Sequence, residues 1–203
     1  MKMNLPNKLT VLRLCMVPVF VVVMMVSDAL WANIVGLALF CIAAYTDHLD
    51  GSIARKHGLV TDFGKFLDPL ADKFMVIGAM MVILYKAMSD FPRNDLFCSL
   101  FFWAVMIMIF RELAVTSIRL VVSGSSGIVI AANNLGKIKT CTQIACVIVC
   151  IAERTVYQHV QVPEFLWKYL PFSVVTTAVM LFFTLWSGIN YIVSYWKYMD
   201  PQK

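Results

Sequence analysis

The chain has 203 residues, of which 61% are hydrophobic and 14% are charged, and its net charge is +5. Because a soluble domain is about half apolar and about a quarter charged, this composition excludes an ordinary soluble protein and indicates one integral membrane domain over residues 1–203. Basic residues flank the apolar segments, so lipid headgroups explain the positive charge better than nucleic acid does.

Six apolar stretches predict an all-α protein with six transmembrane helices, because about 20 apolar residues cross the hydrocarbon core as a helix. The first stretch contains Arg13 and lacks a small-residue cleavage site after it, so we interpret it as a span rather than a signal peptide. The six cysteines form no C-x-x-C pair, so they do not indicate a zinc site. The predicted spans lie near residues 6–27, 30–47, 66–87, 95–122, 135–153 and 170–197, and the longest connections lie near 48–65, 123–134 and 154–169.

The distribution of lysine and arginine predicts the orientation of these spans. With the N-terminus in the cytoplasm, 13 of the 17 basic residues fall on the cytoplasmic side. The positive-inside rule therefore predicts a multi-pass protein of the cell's inner, cytoplasmic membrane, with both termini and the site described next in the cytoplasm.

Four aspartates lie at or near the inner ends of two consecutive spans: Asp47 and Asp50 close the second, and Asp68 and Asp72 open the third. Carboxylates in a span cost roughly 2.5–3.5 kcal/mol each on insertion scales, so they are retained where they have a role. The spacings i, i+3 and i, i+4 put each pair on one helical face. Two antiparallel neighbouring helices can therefore direct all four carboxylates at one point.

Four such charges need cations, and hard divalent ions with oxygen ligands, Mg²⁺ or Mn²⁺, suit them best. Helix capping at a wet interface is the simpler alternative for any one aspartate. No histidine or cysteine joins the four aspartates except His48, so a zinc site is disfavoured. Arg55 supplies a cation for phosphate oxygens, and Gly51, Ala54 and Gly64 allow a flat ligand to approach the backbone, so these residues together predict a diphosphate site.

The run Asp47-x2-Asp50-Gly51-x2-Ala54-Arg55-x8-Gly64-x3-Asp68-x3-Asp72 resembles the defining motif of the CDP-alcohol phosphotransferase family at every fixed position and spacing. His48 departs from the bulky aromatic residue that many members have there. The resemblance implies a six-helix membrane bundle, commonly a homodimer, with two divalent metal ions in a site open to the cytoplasm. It implies that Asp47, Asp50 and Asp68 ligate one ion, and that Asp72 helps to hold the second and acts as general base.

The same resemblance implies that the donor, CDP-diacylglycerol, contacts the small residues and Arg55 of this motif. The opening run Leu5-Pro6-Asn7-x2-Thr10-x2-Arg13 is similar to that of the bacterial subgroup that makes phosphatidylglycerophosphate, and so is Arg111-Glu112-x6-Arg119 with Leu135-Gly136-Lys137-x-Lys139-Thr140. The expected donor-binding residues are Asn7, Gly51, Ala54, Arg55 and Gly64.

A second basic cluster predicts an acceptor that carries a phosphate. Arg111 and Arg119 lie eight residues apart on nearly one helical face of an apolar span, and Lys137 and Lys139 enter the next span from the same side. With Thr140 they are the predicted binding residues for glycerol 3-phosphate. Snorkelling to headgroups, or pairing of an arginine with Glu112, is the alternative.

Several other functions stay open at this point. An inositol phosphate also fits the basic cluster, and serine or phosphatidylglycerol acceptors remain alternatives within the family. Outside the family, a membrane prenyltransferase and a divalent-cation transporter also use intramembrane carboxylates. A transporter predicts repeated halves with a site near the midplane, whereas here the aspartates share one membrane face and no repeat is visible.

Overall fold

The computed structural model describes residues 4–57, 62–90, 94–126 and 134–195, and these residues form helices and no strands. The seven helices in this part of the chain are α1 Leu5–Val26, α2 Leu30–His57, α3 Asp62–Ser89, α4 Asp95–Ser126, α5 Asn134–His159, α6 Glu164–Tyr169 and α7 Pro171–Tyr195. The predicted all-α fold is therefore confirmed.

Five candidate membrane spans are long and apolar enough within the described residues. They are Asn7–Val26, Leu30–Asp47, Asp95–Arg119, Asn134–His159 and Glu164–Tyr195. Helix α3 is not among them, since its apolar stretch is bounded by Asp72 and Lys73 at one end and by Lys86 at the other. It nevertheless packs against α1 and α4. A count of six spans therefore stays a prediction.

Several helices run further than the apolar pattern predicts. Helix α2 continues to His57, so residues 48–57 are helical and not part of a connection, and α3 begins at Asp62 rather than near residue 66. Helix α5 likewise reaches His159, and the six-residue α6 follows it. Span-length reasoning ends a helix where apolarity ends, whereas backbone hydrogen bonding continues through polar turns outside the hydrocarbon.

Close helix contacts build the core. Helix α1 packs against both α2 and α3, while α7 packs against α4 and α5. At the α1–α2 contact, a Cβ added to Gly36 would lie 2.2 Å from the Sδ atom of Met24, so a larger residue there would require the Met24 side chain to shift. Small residues at contacts between helices are typical of membrane proteins, because association there depends on close packing.

One end of the bundle carries a network of charges in which Lys86 and Arg154 are buried and Asp28 is exposed. The Lys86 Nζ atom lies 2.9 Å from Asp28 Oδ1 and donates to Asn33 at 3.1 Å. The Arg154 guanidinium contacts both oxygens of Asp90, at 2.5 and 2.8 Å, and reaches Asp28 at 3.2 Å. These contacts tie the α1–α2 turn to the end of α3 and to α5. They therefore set the antiparallel arrangement of these helices.

The same end holds the start of α7 against α5. The Glu153 carboxylate accepts hydrogen bonds from the backbone N–H of Phe172 at 3.2 Å and of Ser173 at 2.6 Å. The first N–H groups of a helix have no partner within the helix, and a carboxylate there satisfies them and interacts favourably with the helix dipole. Glu153 therefore serves as an N-terminal cap contributed by another helix.

We predict that Asp90→Asn destabilises the protein by about 2 kcal/mol or more, since the buried Arg154 would keep only its longer contact with the exposed Asp28. The side chains of Arg154 and Asp90 are only 9% and 12% exposed, which limits compensation by solvent. Thermal unfolding in detergent would measure the change. Glu164→Gln, at an exposed position, is the matched control with an expected change of at most about 0.5 kcal/mol. An equal, small change in both variants would contradict the prediction.

The Asp28 carboxyl gives a pH dependence to this network. Partial burial acts to raise its pKa, but hydrogen bonds and charges from Lys86 and Arg154 outweigh burial and lower the pKa below its ordinary value of 3.8. A carboxyl whose pKa is lower in the folded state adds stability above its unfolded pKa, and this stability disappears as pH falls through the folded pKa.

We therefore expect Asp28→Asn to lower the thermal midpoint near neutral pH, and the difference from wild type to shrink as pH falls below about 4. Unfolding curves for both proteins across that range would measure it. A difference that is constant with pH would show that the carboxyl's charge is not involved.

Candidate active site

Two residues on one face of α1 hold carboxylates from two other helices. The Arg13 guanidinium contacts Asp47 Oδ1 on α2, and the Thr10 hydroxyl donates to Asp68 Oδ1 on α3 at 2.6 Å. Thr10 and Arg13 are three residues apart, so both side chains point to the same side of α1. Helix α1 therefore brings the ends of α2 and α3 that carry the aspartate motif to one place.

The two partners of the Arg13–Asp47 ion pair differ in burial. The Arg13 side chain is 0% exposed, whereas Asp47 is 37% exposed. The cation is thus enclosed by protein, and its carboxylate partner faces the open side. The described contacts of Asp47 and Asp68 use Oδ1 in each case. The second oxygen of each carboxylate points to no described protein partner, as a metal-binding carboxylate requires.

Asp72 lies one turn after Asp68 on α3 and is partly buried. It interacts electrostatically with Lys73 beside it and with Lys139 on α5. Asp72 of the aspartate motif is therefore near enough to the second basic cluster to interact with two of its charges. Asn7 and Gly64 are both buried at this end of the bundle.

The structure describes only part of the predicted metal site. Asp50 follows Asp47 by one turn of α2, but its side chain lies outside the described part of the chain. The same holds for the side chains of His48, Ala54 and Arg55, and for the surroundings of Gly51. Among the described side chains, no three of the His, Cys, Asp and Glu type form a group that could hold a metal ion. The carboxylate donors that are described suit Mg²⁺ or Mn²⁺ in chemistry.

The second basic cluster is assembled around Glu112. Its Oε1 atom contacts Lys139 Nζ on α5 and lies 3.3 Å from Arg111 NH1. The Arg111 NH2 group also donates to the Ser187 hydroxyl on α7 at 3.0 Å. The three charged side chains are 8–13% exposed. The pairing of Arg111 with Glu112, considered above as the alternative to phosphate binding, is therefore present, and it leaves the cluster with an excess of cations.

Two more contacts extend the cluster to neighbouring helices. Arg119 donates to the Tyr191 hydroxyl on α7 at 3.0 Å, and its guanidinium carbon lies 5.6 Å from the centre of that ring. Lys73 on α3 donates to the Thr116 hydroxyl on α4 at 2.5 Å. Lys73 also interacts electrostatically with Arg111 and Arg119. Three helices besides α4 thus contribute to the cluster.

Two predicted members stand apart from these contacts. Lys137 is exposed, and the Thr140 hydroxyl donates to the backbone carbonyl of Gly136 at 3.2 Å, one turn earlier in α5. Neither makes a described contact with Arg111, Arg119 or Lys139. Their proximity to an acceptor stays a prediction.

Sequence reasoning missed several residues that complete the two clusters. Glu112 could have been singled out, because a carboxylate next to an arginine within an apolar span is costly unless it is paired. Arg13, a cation within the first apolar span, gave the same signal. The threonine, serine and tyrosine residues gave none, since these residue types are common in membrane helices. The missed residues are Thr10 and Arg13 as partners of the aspartates, and Lys73, Glu112, Thr116, Ser187 and Tyr191 in the basic cluster.

Comparison with known proteins assigns the chain to a family. The chain matches the CDP-alcohol phosphatidyltransferase family over residues 3–198, and it belongs to that family. The expected family resemblance is therefore confirmed.

Several relatives share most of their length with this chain. It is 38% identical to the CDP-diacylglycerol–glycerol-3-phosphate 3-phosphatidyltransferase of Bacillus subtilis, over 96% of each chain. It is 32% identical to the enzyme of the same name from Salmonella paratyphi A, over 95% of this chain and 94% of that one. It is also 32% identical to a cardiolipin synthase (CMP-forming) of Oryza sativa, over 96% of this chain but 58% of that protein.

We predict that Thr10→Val weakens the response of this site to divalent ions, because the isosteric change removes the hydrogen bond that orients Asp68. Loss of a partner that orients a metal-binding carboxylate typically costs about 10- to 100-fold in metal affinity or activity. Titration of transferase activity with Mg²⁺ or Mn²⁺ would measure the half-saturating concentration. Thr176→Val, which removes a hydroxyl bonded to backbone carbonyls of α7, is the matched control. Equal metal dependence in the two variants would contradict a positioning role for Thr10.

Proposed function

We propose that the protein transfers the phosphatidyl group of CDP-diacylglycerol to glycerol 3-phosphate, giving phosphatidylglycerophosphate and CMP. The observation that carries the proposal is the position of Asp72, which lies on the aspartate motif and interacts electrostatically with Lys139 of the basic cluster. A diphosphate donor and a phosphate-bearing acceptor can therefore meet at one carboxylate. The names of the relatives from Bacillus subtilis and Salmonella paratyphi A support this reaction.

The aspartate motif is the proposed donor site. Asp47, Asp50 and Asp68 would hold one divalent ion, and Asp72 would help to hold a second. When bound, two Mg²⁺ or Mn²⁺ ions would neutralise the charge of the diphosphate and of the departing CMP. On the protein side, Thr10 and Arg13 orient the carboxylates. Asn7, Gly51, Ala54, Arg55 and Gly64 are the proposed contacts of the nucleotide and diphosphate.

The chemical step is a direct in-line displacement. A hydroxyl of glycerol 3-phosphate attacks the β-phosphorus of CDP-diacylglycerol, its new O–P bond forms, and the bond to the CMP oxygen breaks. Asp72 accepts the proton of the attacking hydroxyl, as a general base must lie within reach of that proton. Arg111, Arg119 and Lys139, with Lys137 and Thr140 further along α5, would hold the acceptor's phosphate and so place its hydroxyl.

The cellular setting follows from the same assignment. Bacterial relatives and the apolar helices support an inner-membrane, multi-pass protein. The sorting of basic residues favours a cytoplasmic site with both termini on that side, where water-soluble glycerol 3-phosphate is present. A homodimer is the proposed assembly, by similarity to the family.

The test is CMP release by purified protein with CDP-diacylglycerol, Mg²⁺ or Mn²⁺, and one acceptor at a time. We expect turnover with glycerol 3-phosphate and a loss of about 100-fold or more in Asp72→Asn, the range for removal of a general base. The acceptor panel contains glycerol 3-phosphate, inositol phosphate, serine and phosphatidylglycerol. Asp95→Asn, at the opposite end of α4, is the control and should keep wild-type activity.

Other outcomes assign other functions. CMP release with phosphatidylglycerol alone would make the protein a cardiolipin synthase, as one relative is named. Release with inositol phosphate or serine alone would keep the donor chemistry and overturn the acceptor. A folded protein that binds Mg²⁺ but releases no CMP with any acceptor would favour a cation transporter.

A further inference from the structure

Glu112 is a carboxylate inside a site that is otherwise cationic. Arg111 and Lys139 contact it directly, and Lys73 and Arg119 interact electrostatically with Arg111. A negative charge in a phosphate-binding cluster repels the phosphate, so its presence calls for a reason beyond anion binding. Pairing accounts for one oxygen atom of this carboxylate and leaves the other to be explained.

The contacts of Glu112 are unequal between its two oxygens. Both described contacts, from Lys139 and from Arg111, go to Oε1. Oε2 accepts from no described residue, and it is not among the buried polar atoms that lack a partner, so it is open to a ligand. An ionised carboxylate can accept about four hydrogen bonds and donates none. Oε2 can therefore bind a hydrogen-bond donor and cannot bind a phosphate oxygen.

The ligand that reaches Oε2 must bring a hydroxyl hydrogen. This step rests on the proposed function, in which the acceptor is glycerol 3-phosphate. That molecule has a phosphate at one end, an attacking hydroxyl at the other and a second hydroxyl between them. The cations hold the phosphate, and the attacking hydroxyl faces Asp72, which interacts electrostatically with Lys139, the partner of Glu112. The middle hydroxyl is the donor left for Glu112.

We propose that Glu112 recognises the acceptor by accepting a hydrogen bond from its non-reacting hydroxyl at Oε2, while Lys139 and Arg111 hold the carboxylate in place through Oε1. The residue is then part of the acceptor site and determines its specificity for a polyol phosphate. A simple alkanol phosphate would bind through the same cations but would leave Oε2 without its partner. Leaving a polar group unpaired in this way discriminates strongly between substrates.

The test compares two acceptors in each protein: glycerol 3-phosphate, and 3-hydroxypropyl phosphate, which lacks only the middle hydroxyl. The measured quantity is the ratio of their kcat/KM values. This ratio does not depend on the fraction of enzyme that is folded or active, so a destabilised variant still reports on recognition. The variants are Glu112→Gln, Glu112→Ala and Glu112→Asp, with Glu164→Gln as the control on the exposed surface of α6.

We expect wild type and Glu164→Gln to prefer glycerol 3-phosphate by about tenfold or more, because hydrogen bonds to charged groups are the stronger ones. The ratio should fall towards one in Glu112→Ala, with Glu112→Gln and Glu112→Asp between. A wild-type ratio near one, or a large ratio that Glu112→Ala leaves unchanged, would overturn the inference and keep the proposed function. Absence of wild-type turnover with glycerol 3-phosphate would overturn the proposed function itself, and the inference with it.

Discussion

The contact between Arg13 and Asp47 is the interaction on which the arrangement of the site depends. Arg13 is 0% exposed in a helix long and apolar enough to span a membrane. An unpaired cation there is costly, so α1 is stable in this position only where a carboxylate meets it. Asp47 supplies that carboxylate from α2, and Thr10 adds Asp68 from α3 by the same face of α1. Electrostatics thus determines where the aspartate motif forms.

Charged side chains pair at both ends of the bundle, but the balance between positive and negative charges differs. At the end remote from the motif, Lys86 and Arg154 meet Asp28 and Asp90, so positive and negative charges are equal in number. At the motif end, Glu112 contacts two of the cluster's four described cations and Asp72 interacts electrostatically with Lys73 and Lys139, so four cations meet two carboxylates. A balanced network is stable without a ligand and acts as a structural tie. A cluster with more cations than carboxylates attracts an anion, which supports the binding role proposed for that end.

The sequence predicted the elements whose signals are periodic or compositional. The apolar stretches gave the long helices, and the i, i+3 and i, i+4 aspartates gave the faces on α2 and α3. It did not predict that α2 continues through residues 48–57, since a polar helical turn and a connection have similar compositions. The partners of the charged residues were also out of reach, because Arg13 and Asp47 are 34 residues apart and their contact depends on helix packing. Arg13 was interpreted as a cytoplasmic basic residue and as part of the opening run, and its contact with Asp47 was not predicted.

Mutual repulsion and desolvation of the cations in the basic cluster explain why its members are spread over α3, α4, α5 and α7. Arg111 and Arg119 share α4 but lie about two turns apart, whereas Lys73 and Lys139 come from α3 and α5. Three of these cations have a partner on another helix: Thr116 for Lys73, Ser187 for Arg111 and Tyr191 for Arg119. These partners are neutral, so they satisfy donors without cancelling charge. The cluster consequently keeps its attraction for an anion, and the cost is the desolvation of its cations. Local rules of stability are relaxed at this one end, as is expected where a protein performs its function.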